Sequence, residues 1–200
     1  MMPSEATRVP QTQAPLSGEE AARLLPSLST RAQLDVVERI NIQAARVWAM
    51  RSAVLQRGDL LTEPFARELH RRMFGGIWRG AGQYRTTERA PGWEAHRIPE
   101  GVRMFMDDAE GWLRFSTYPL HEAAVRLHHR LVSIHPWWNG NGRHARLMAD
   151  VVVAAHGEEP LTWGSRAGNP AAGSASGRYA EAINAADAGD VAPLLVFARS

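Results

Sequence analysis

The stretch HPWWNGNGRHAR, residues 135–146, decides how this sequence is interpreted. Two glycines alternate with two asparagines and lead directly into a segment with helical spacing. A helix that starts in such a turn has first-turn N–H groups that no carbonyl accepts, and its dipole places partial positive charge at the same end. Because glycine permits positive φ and close approach, the stretch predicts a nest of donors for an anion, best matched by phosphate.

Charged and basic side chains flank this nest. Arg143 and Arg146 are three residues apart and share one helix face, where their forked donors can hold further phosphate oxygens. His135 lies just before the nest and can act as a base near neutral pH. A base beside a phosphate cradle predicts phosphoryl or nucleotidyl transfer. Taken singly, each feature is also typical of a turn, a helix cap or a buried helix end, so the prediction rests on their combination.

The composition excludes several kinds of chemistry. The 200 residues are 44% hydrophobic and 22% charged, which predicts one globular domain with a substantial core. The absence of cysteine excludes disulfides, thiol catalysis and thiolate metal sites. All 23 basic residues are arginine, which excludes a P-loop lysine and Schiff-base chemistry. The formal charge is only +2, so the pI of about 9.6 is no indication of a nucleic-acid partner.

The termini and apolar runs predict a location in the cytoplasm, without membrane contact. The longest apolar runs, such as VVVAA at 151–155, are far shorter than the ~20 residues of a spanning helix. The start, MMPSEATRVPQTQAPLS, is polar and has no apolar signal core. We expect a partly flexible N-terminal extension over residues 1–29 and one functional domain over residues 30–200.

Helical spacing of apolar residues covers most of the chain. Ser17, Thr30 and Thr62 are candidate helix N-caps. Further helices are predicted around 102–113, 123–134, 145–155, 177–187 and 190–198. Residues 83–98 lack the helical period and contain a Pro-Gly turn signal, which favours an exposed loop or a short β-hairpin. The fold class is therefore all-α, with one irregular hairpin.

The motif at 135–146 resembles the Fic signature, His-Pro-Phe-x-(Asp/Glu)-Gly-Asn-Gly-Arg-x-x-Arg. Trp137 stands for the usual phenylalanine, and Asn139 stands where the signature has an acid. FGGIWRGAGQYRTTE at 74–88 resembles the segment that leads into the family's target-binding flap, and RYAEAI at 178–183 resembles its later nucleotide-side helix. NGNGRHARLMAD, with TRAQLDVVERINIQ upstream and PLLVFARS at the end, resembles the bacterial subgroup called mobile mystery protein B. The resemblance implies a Fic-type helical bundle with a β-hairpin flap.

The resemblance also implies transfer of AMP from ATP to a Ser, Thr or Tyr hydroxyl of a target protein. His135 would take the hydroxyl proton, and pyrophosphate would leave. The implied nucleotide-binding residues are Asn139, Gly140, Asn141, Gly142, Arg143, Arg146 and Tyr179. Gly140 would favour the pose for AMP transfer over a reversed nucleotide. The implied target-binding flap residues are Arg85, Thr86, Thr87 and Glu88, which would hold a target segment by strand pairing.

Asn139 sets two hypotheses against each other. In the family the acid at this place binds Mg²⁺, and an amide oxygen can replace it only without the charge. Asn139 would then hold Mg²⁺ weakly, or Mn²⁺ would replace it, in an adenylyltransferase of reduced activity. The alternative is a catalytically weak Fic-like module that binds a nucleotide or a partner.

Two further questions concern regulation and metals. The family is often inhibited through a helix motif, (Ser/Thr)-x-x-x-Glu-(Gly/Asn), which is absent here. The nearest stand-ins are Glu38 and Asn41, which we interpret as part of a solvated helix face, so a separate regulatory protein is the other candidate. A metal hydrolase built on His128 and His135 ranks lower, because seven residues separate them and no HExxH motif is present.

Overall fold

The computed structural model describes residues 15–165 and 175–200. This part of the chain is helical, without strands, and its secondary structure includes two isolated β-bridges, Pro15 with Thr30 and Leu24 with Trp78. The α-helices are α1 Gly18–Arg23, α2 Arg31–Ala49, α3 Ser52–Leu55, α4 Glu63–Phe74, α5 Ile98–Arg114, α6 Leu120–Ile134, α7 Asn141–Ala155, α8 Ala175–Asp187 and α9 Ala192–Arg199. A 3₁₀ turn, Ala95–Arg97, precedes α5. The predicted all-α class is therefore confirmed.

Side-chain caps explain where the first helices begin. The Ser17 and Thr30 side chains each accept from the backbone N–H three residues on, and Glu20 and Gln33 reach back to complete both capping boxes. The Thr62 hydroxyl accepts from the N–H of Phe65 at the start of α4. Each cap satisfies donors that would otherwise be unpaired.

Helix α7 lies at the centre of the fold. It packs along α6, and α4, α3 and the larger core cluster surround it. A second, smaller cluster lies under α8 and α9 and includes Val153 of α7. The packing places the α6–α7 connection, residues 135–140, where both helices are anchored. No helix of the described residues is long and apolar enough to cross a membrane.

The β-hairpin expected within residues 83–98 is not seen. Residues 83–94 form bends and irregular backbone. The cause is Arg85, which is 4% exposed and whose guanidinium donates to the carbonyls of His135, Thr87 and Trp93. The Arg85 guanidinium therefore occupies the carbonyls of Thr87 and Trp93, to which the N–H groups of a partner strand would otherwise donate. The segment is fastened to the α6–α7 connection instead, by Arg85 N–H to Pro136 O (3.0 Å) and Trp93 N–H to Ile134 O (3.2 Å).

Three histidines are buried in the uncharged state. Burial lowers the pKa of His70 and His128 to about 3 and that of His144 to about 4. The side chain of His144 is 1% exposed and lies in the core. Its side chain accepts from the Trp137 indole N–H (3.2 Å) and lies 2.9 Å from the Ala66 carbonyl. These contacts are made in the core, where a charged imidazole would be costly.

The buried histidines predict a loss of stability in mild acid. The unfolded chain gains protons near pH 6.5 while the folded chain does not, so stability is complete above that pH and falls as the pH decreases. Between pH 7 and pH 5 we expect each of the three to cost about 2 kcal/mol. Urea denaturation at pH 7, 6 and 5 measures this. His96→Gln, at a 76% exposed side chain, should leave the slope unchanged, and a flat profile would contradict the burial argument.

Candidate active site

The connection between α6 and α7 is a tight turn fixed by positive backbone angles. His135 ends α6 with φ 53°, and Gly140 precedes α7 with φ 76°. A Cβ at Gly140 would lie 2.4 Å from Cζ of Phe74. Position 140 therefore requires glycine for two reasons, its conformation and the approach of Phe74.

Side chains lock the turn from both ends. The Asn141 amide accepts from the Trp137 N–H and donates to the Trp137 carbonyl, both at 2.8 Å. His70 accepts from the Gly82 N–H at 2.9 Å, and its other ring nitrogen lies 3.0 Å from the Asn139 carbonyl, to which it donates. Asn141, whose predicted nucleotide contact stays a prediction, thus uses its side chain within the turn. Its backbone N–H lies in the first turn of α7, where no carbonyl accepts it.

The turn and the start of α7 form the floor of a cavity of about 400 Å³. Its lining contains most of the predicted site and three arginines. The lining residues are Arg89, His135, Trp138, Asn139, Gly140, Asn141, Gly142, Arg143 and Arg146. The structure therefore brings together seven of the eight predicted catalytic and nucleotide-binding residues, and adds Arg89 and Trp138. An open cavity of this charge suits a polyanion.

His135 is a base that remains neutral in this environment. Burial lowers its pKa from the ordinary value of 6.5, and the nearby guanidinium groups of Arg85 and Arg89 lower it further. A neutral imidazole can accept a proton, so the electrostatics match the role predicted for it.

Arg143 is held by a carboxylate that the sequence interpretation placed in solvent. Glu38, on α2, is only 4% exposed. It accepts from Arg143 Nη1 at 2.6 Å and from the Trp78 indole N–H at 2.7 Å. The interpretation of Glu38 as part of a solvated helix face was therefore wrong, because its carboxylate is enclosed by Trp78, Asn139 and Arg143. The ion pair fixes the first arginine of the motif at the cavity wall.

Asn139 completes the same cluster. Its carbonyl oxygen accepts from Arg143 Nη2 at 3.2 Å, and its amide donates to Glu38 Oε1 at 3.2 Å. An aspartate here would set two carboxylates against each other. The amide thus fits Glu38 in a way that an acid would not.

Arg146 rests on an aromatic platform. Its guanidinium carbon lies 4.4 Å from the ring centre of Tyr179 and 6.0 Å from that of Trp163. The Tyr179 hydroxyl lies 3.0 Å from Nε2 of the buried His128. Tyr179 is packed in the smaller core cluster and lies outside the cavity lining. The structure thus places Tyr179 against Arg146 by cation–π contact, and its predicted role in nucleotide binding stays a prediction.

The predicted flap residues separate into two groups. Arg85 is buried and structural, while Thr86, Thr87 and Glu88 are exposed. The Glu88 carboxylate accepts from the Ala95 N–H at 3.0 Å. Thr86 and Thr87 therefore remain the exposed candidates for target contact.

The residues present do not fit a divalent metal ion. No acid lines the cavity, and the Asn139 oxygen already accepts from Arg143. Within residues 15–165 and 175–200, no group of three His, Asp or Glu side chains could hold a metal. Mg²⁺ prefers anionic oxygen ligands. The Mg²⁺ or Mn²⁺ expected at Asn139 thus lacks a suitable donor set.

Substituting Gly140 should destabilise the whole turn. For Gly140→Ala we expect a loss of about 2–4 kcal/mol, because the added carbon meets Phe74 and the backbone stays left-handed. Urea denaturation measures it. Gly111→Ala is the matched control, since a Cβ at that helical position meets nothing within 4 Å, and a gain of about 1 kcal/mol is expected there. Equal effects at both positions would contradict the argument.

Comparison with known proteins gives similarities of sequence and of fold. Residues 60–153 match the model of the Fic/DOC family. A protein adenylyltransferase Fic from Nematostella vectensis is 31% identical over 151 residues, covering 73% of this chain and 33% of that protein. A uridine 5'-monophosphate transferase from Xanthomonas campestris pv. campestris is 32% identical over 123 residues, covering 58% and 21% respectively. The chain thus spans a fifth to a third of the length of these relatives.

The fold also has solved counterparts. BepC, a VirB-translocated effector from Bartonella tribocorum solved with bound AMPPNP, superposes with a TM-score of 0.66 at 16% identity, covering 88% of this chain and 90% of that one. The segment that matches the Fic/DOC family model, residues 60–153, carries every residue that lines the cavity.

Proposed function

We propose that the protein transfers AMP from ATP to a hydroxyl group of a target protein. The observation that carries the proposal is one cavity that combines a neutral imidazole, a nest of backbone donors and two motif arginines. The family of residues 60–153 and the relative named protein adenylyltransferase support it. ATP is then the second substrate.

Each step uses a group of this chain. The first-turn N–H groups of α7 and the guanidinium groups of Arg143 and Arg146 bind the phosphates. The target hydroxyl attacks the α-phosphorus and forms the new P–O bond. His135 accepts the hydroxyl proton, the bond to the β-phosphate breaks, and pyrophosphate leaves. The donors are fixed before the substrate arrives, so they stabilise developing charge without rearranging.

Target binding is proposed for the exposed part of the flap. Thr86 and Thr87 lie on the segment that Arg85 ties to the carbonyl of His135, so an extended target peptide bound there would lie beside the base.

We further propose a cytoplasmic location, membership of the mobile mystery protein B subgroup, and an N-terminal extension over residues 1–29. Residues 1–14 of this extension lie outside the described residues. We also propose that a separate protein regulates the transfer activity.

Removing the base should separate transfer from binding. We expect His135→Ala to lose at least about 10²-fold in AMP transfer while ATP binding persists, because the arginines and the nest remain. The assay is incorporation of label from α-labelled ATP into protein in a bacterial lysate, with γ-labelled ATP and α-labelled UTP in parallel. His129→Ala, a substitution that removes a hydrogen bond to Asp187 outside the cavity lining, is the control. Unchanged transfer in His135→Ala would remove its assignment as base.

The parallel labels distinguish the alternatives. Label from UTP alone would indicate the activity named for the Xanthomonas relative. Label from the γ-position alone would indicate phosphate transfer from a reversed nucleotide. No label beside measurable ATP binding would favour the catalytically weak binding module.

The lowered pKa of His135 predicts the pH profile of transfer. Protonation of the imidazole abolishes the base, so activity is lost as the pH falls through the His135 pKa, which lies below 6.5. We expect a plateau at neutral pH and an acidic limb below pH 6.5. Rates of α-label transfer between pH 5 and 8, in the range where urea denaturation reports a folded protein, measure it. A limb centred above pH 6.5 would contradict the arrangement.

A further inference from the structure

We propose that arginines, and no divalent cation, neutralise the triphosphate in this site, and that Arg89, which directly follows the flap residues 85–88, is the additional phosphate-binding residue. The inference rests on the proposed function, because it concerns how the same cavity binds its nucleotide. It follows from what the polar atoms around Asn139 already contact and from the charges that line the cavity.

The first observation is that Asn139 has both ends of its amide engaged. Its oxygen accepts from Arg143 and its nitrogen donates to Glu38. A cation bound to that oxygen would sit next to a guanidinium group. The repulsion between them would not be offset by any negative charge on the amide. The position that the resemblance assigns to a metal ligand is thus occupied by an arginine's partner.

The second observation is that the nearest carboxylate is saturated. Glu38 Oε1 accepts from Trp78, Asn139 and Arg143, and Oε2 accepts from Arg143 at 2.6 Å. Its side chain is 5% exposed. Removing it from Arg143 to serve a cation would break a buried ion pair, leaving both groups to find new partners. Glu38 therefore acts as a support for Arg143.

The third observation is the position of Arg89. It lines the cavity, and its guanidinium carbon lies 4.8 Å from the ring centre of Trp138, a residue of the motif. Arg23 lies against the same indole at 4.7 Å, and Glu19 reaches Arg89 at 3.3 Å. The indole and the carboxylate hold the guanidinium at the rim, so less side-chain entropy is lost when it binds a ligand.

Together these features place three guanidinium groups where a cation would otherwise bring positive charge, two of them held by Glu38 and Glu19 from outside the cavity lining. Arg89, Arg143 and Arg146 line the cavity around the N-terminus of α7, and no carboxylate lines it with them. Guanidinium groups bind phosphate oxygens in pairs and stay charged at every relevant pH. Three of them, with the first-turn N–H groups, surround a polyphosphate from several sides without any metal-binding acid.

Binding of ATP in the presence and absence of Mg²⁺ tests the inference. Isothermal titration of the full chain with ATP would be done once in excess Mg²⁺ and once in EDTA. We expect the two dissociation constants to agree within about threefold. A larger weakening in EDTA would overturn the metal-independent reading while leaving the proposed function in place. Absence of ATP binding in both conditions would overturn both proposals.

A matched pair of variants tests Arg89. In EDTA we expect Arg89→Gln to weaken ATP binding by about tenfold, because one charge-assisted contact is lost. Arg97→Gln removes the same charge from an exposed side chain outside this cavity, and should change binding by less than about twofold. Equal effects of the two substitutions would overturn the role of Arg89. Thermal unfolding of both variants confirms that each is folded.

Discussion

The turn between α6 and α7 is the constraint on which the site depends. Its backbone is left-handed at His135 and at Gly140, and the side chains of Asn141 and His70 hold the residues between. Because the turn is fixed at both ends, the imidazole and the N-terminus of α7 face one cavity without any movement. The aromatic ring of Phe74 fills the space beside Gly140, so the geometry of the nest depends on how α4 packs against it.

The flap and the core extend this arrangement outwards. Arg85 replaces a strand pairing with three carbonyl contacts, which ties the flap to the residue that supplies the base. Tyr179 and His128 support Arg146 from beneath, through a buried contact that reaches α8. His135 and Arg143 are thus each backed by a buried residue, Arg85 and Glu38, and such backing gives a site its precision.

Local signals in the sequence predicted the helices and the centre of the site. Caps at Ser17, Thr30 and Thr62 act within one turn of the chain, and the motif at 135–146 is continuous, so both can be identified from neighbouring residues. The residues that contact the motif from distant parts of the chain could not be identified in this way. Glu38 contacts Arg143 across more than a hundred positions, and its hydrophilic neighbours Asp35 and Arg39 suggest a solvated face. The prediction of a hairpin was wrong because the buried Arg85 donates to carbonyls of this segment that strand pairing would use.

The position of α2 has a consequence for what counts as the functional unit. Glu38 pairs with Arg143, and two turns later on α2 the Arg46 guanidinium pairs with Asp150. The Nη1–Oδ2 distance of this second pair is 2.7 Å, and Asp150 is 1% exposed. Both partners lie on α7, one at the cavity and one in the core. The family match begins only at residue 60. A chain cut at that boundary would keep every letter of the motif, yet would leave an arginine and a buried aspartate without their counter-charges. The smallest fragment that keeps these ion pairs of the active site therefore includes α2 and begins N-terminal to residue 60, where the family match starts.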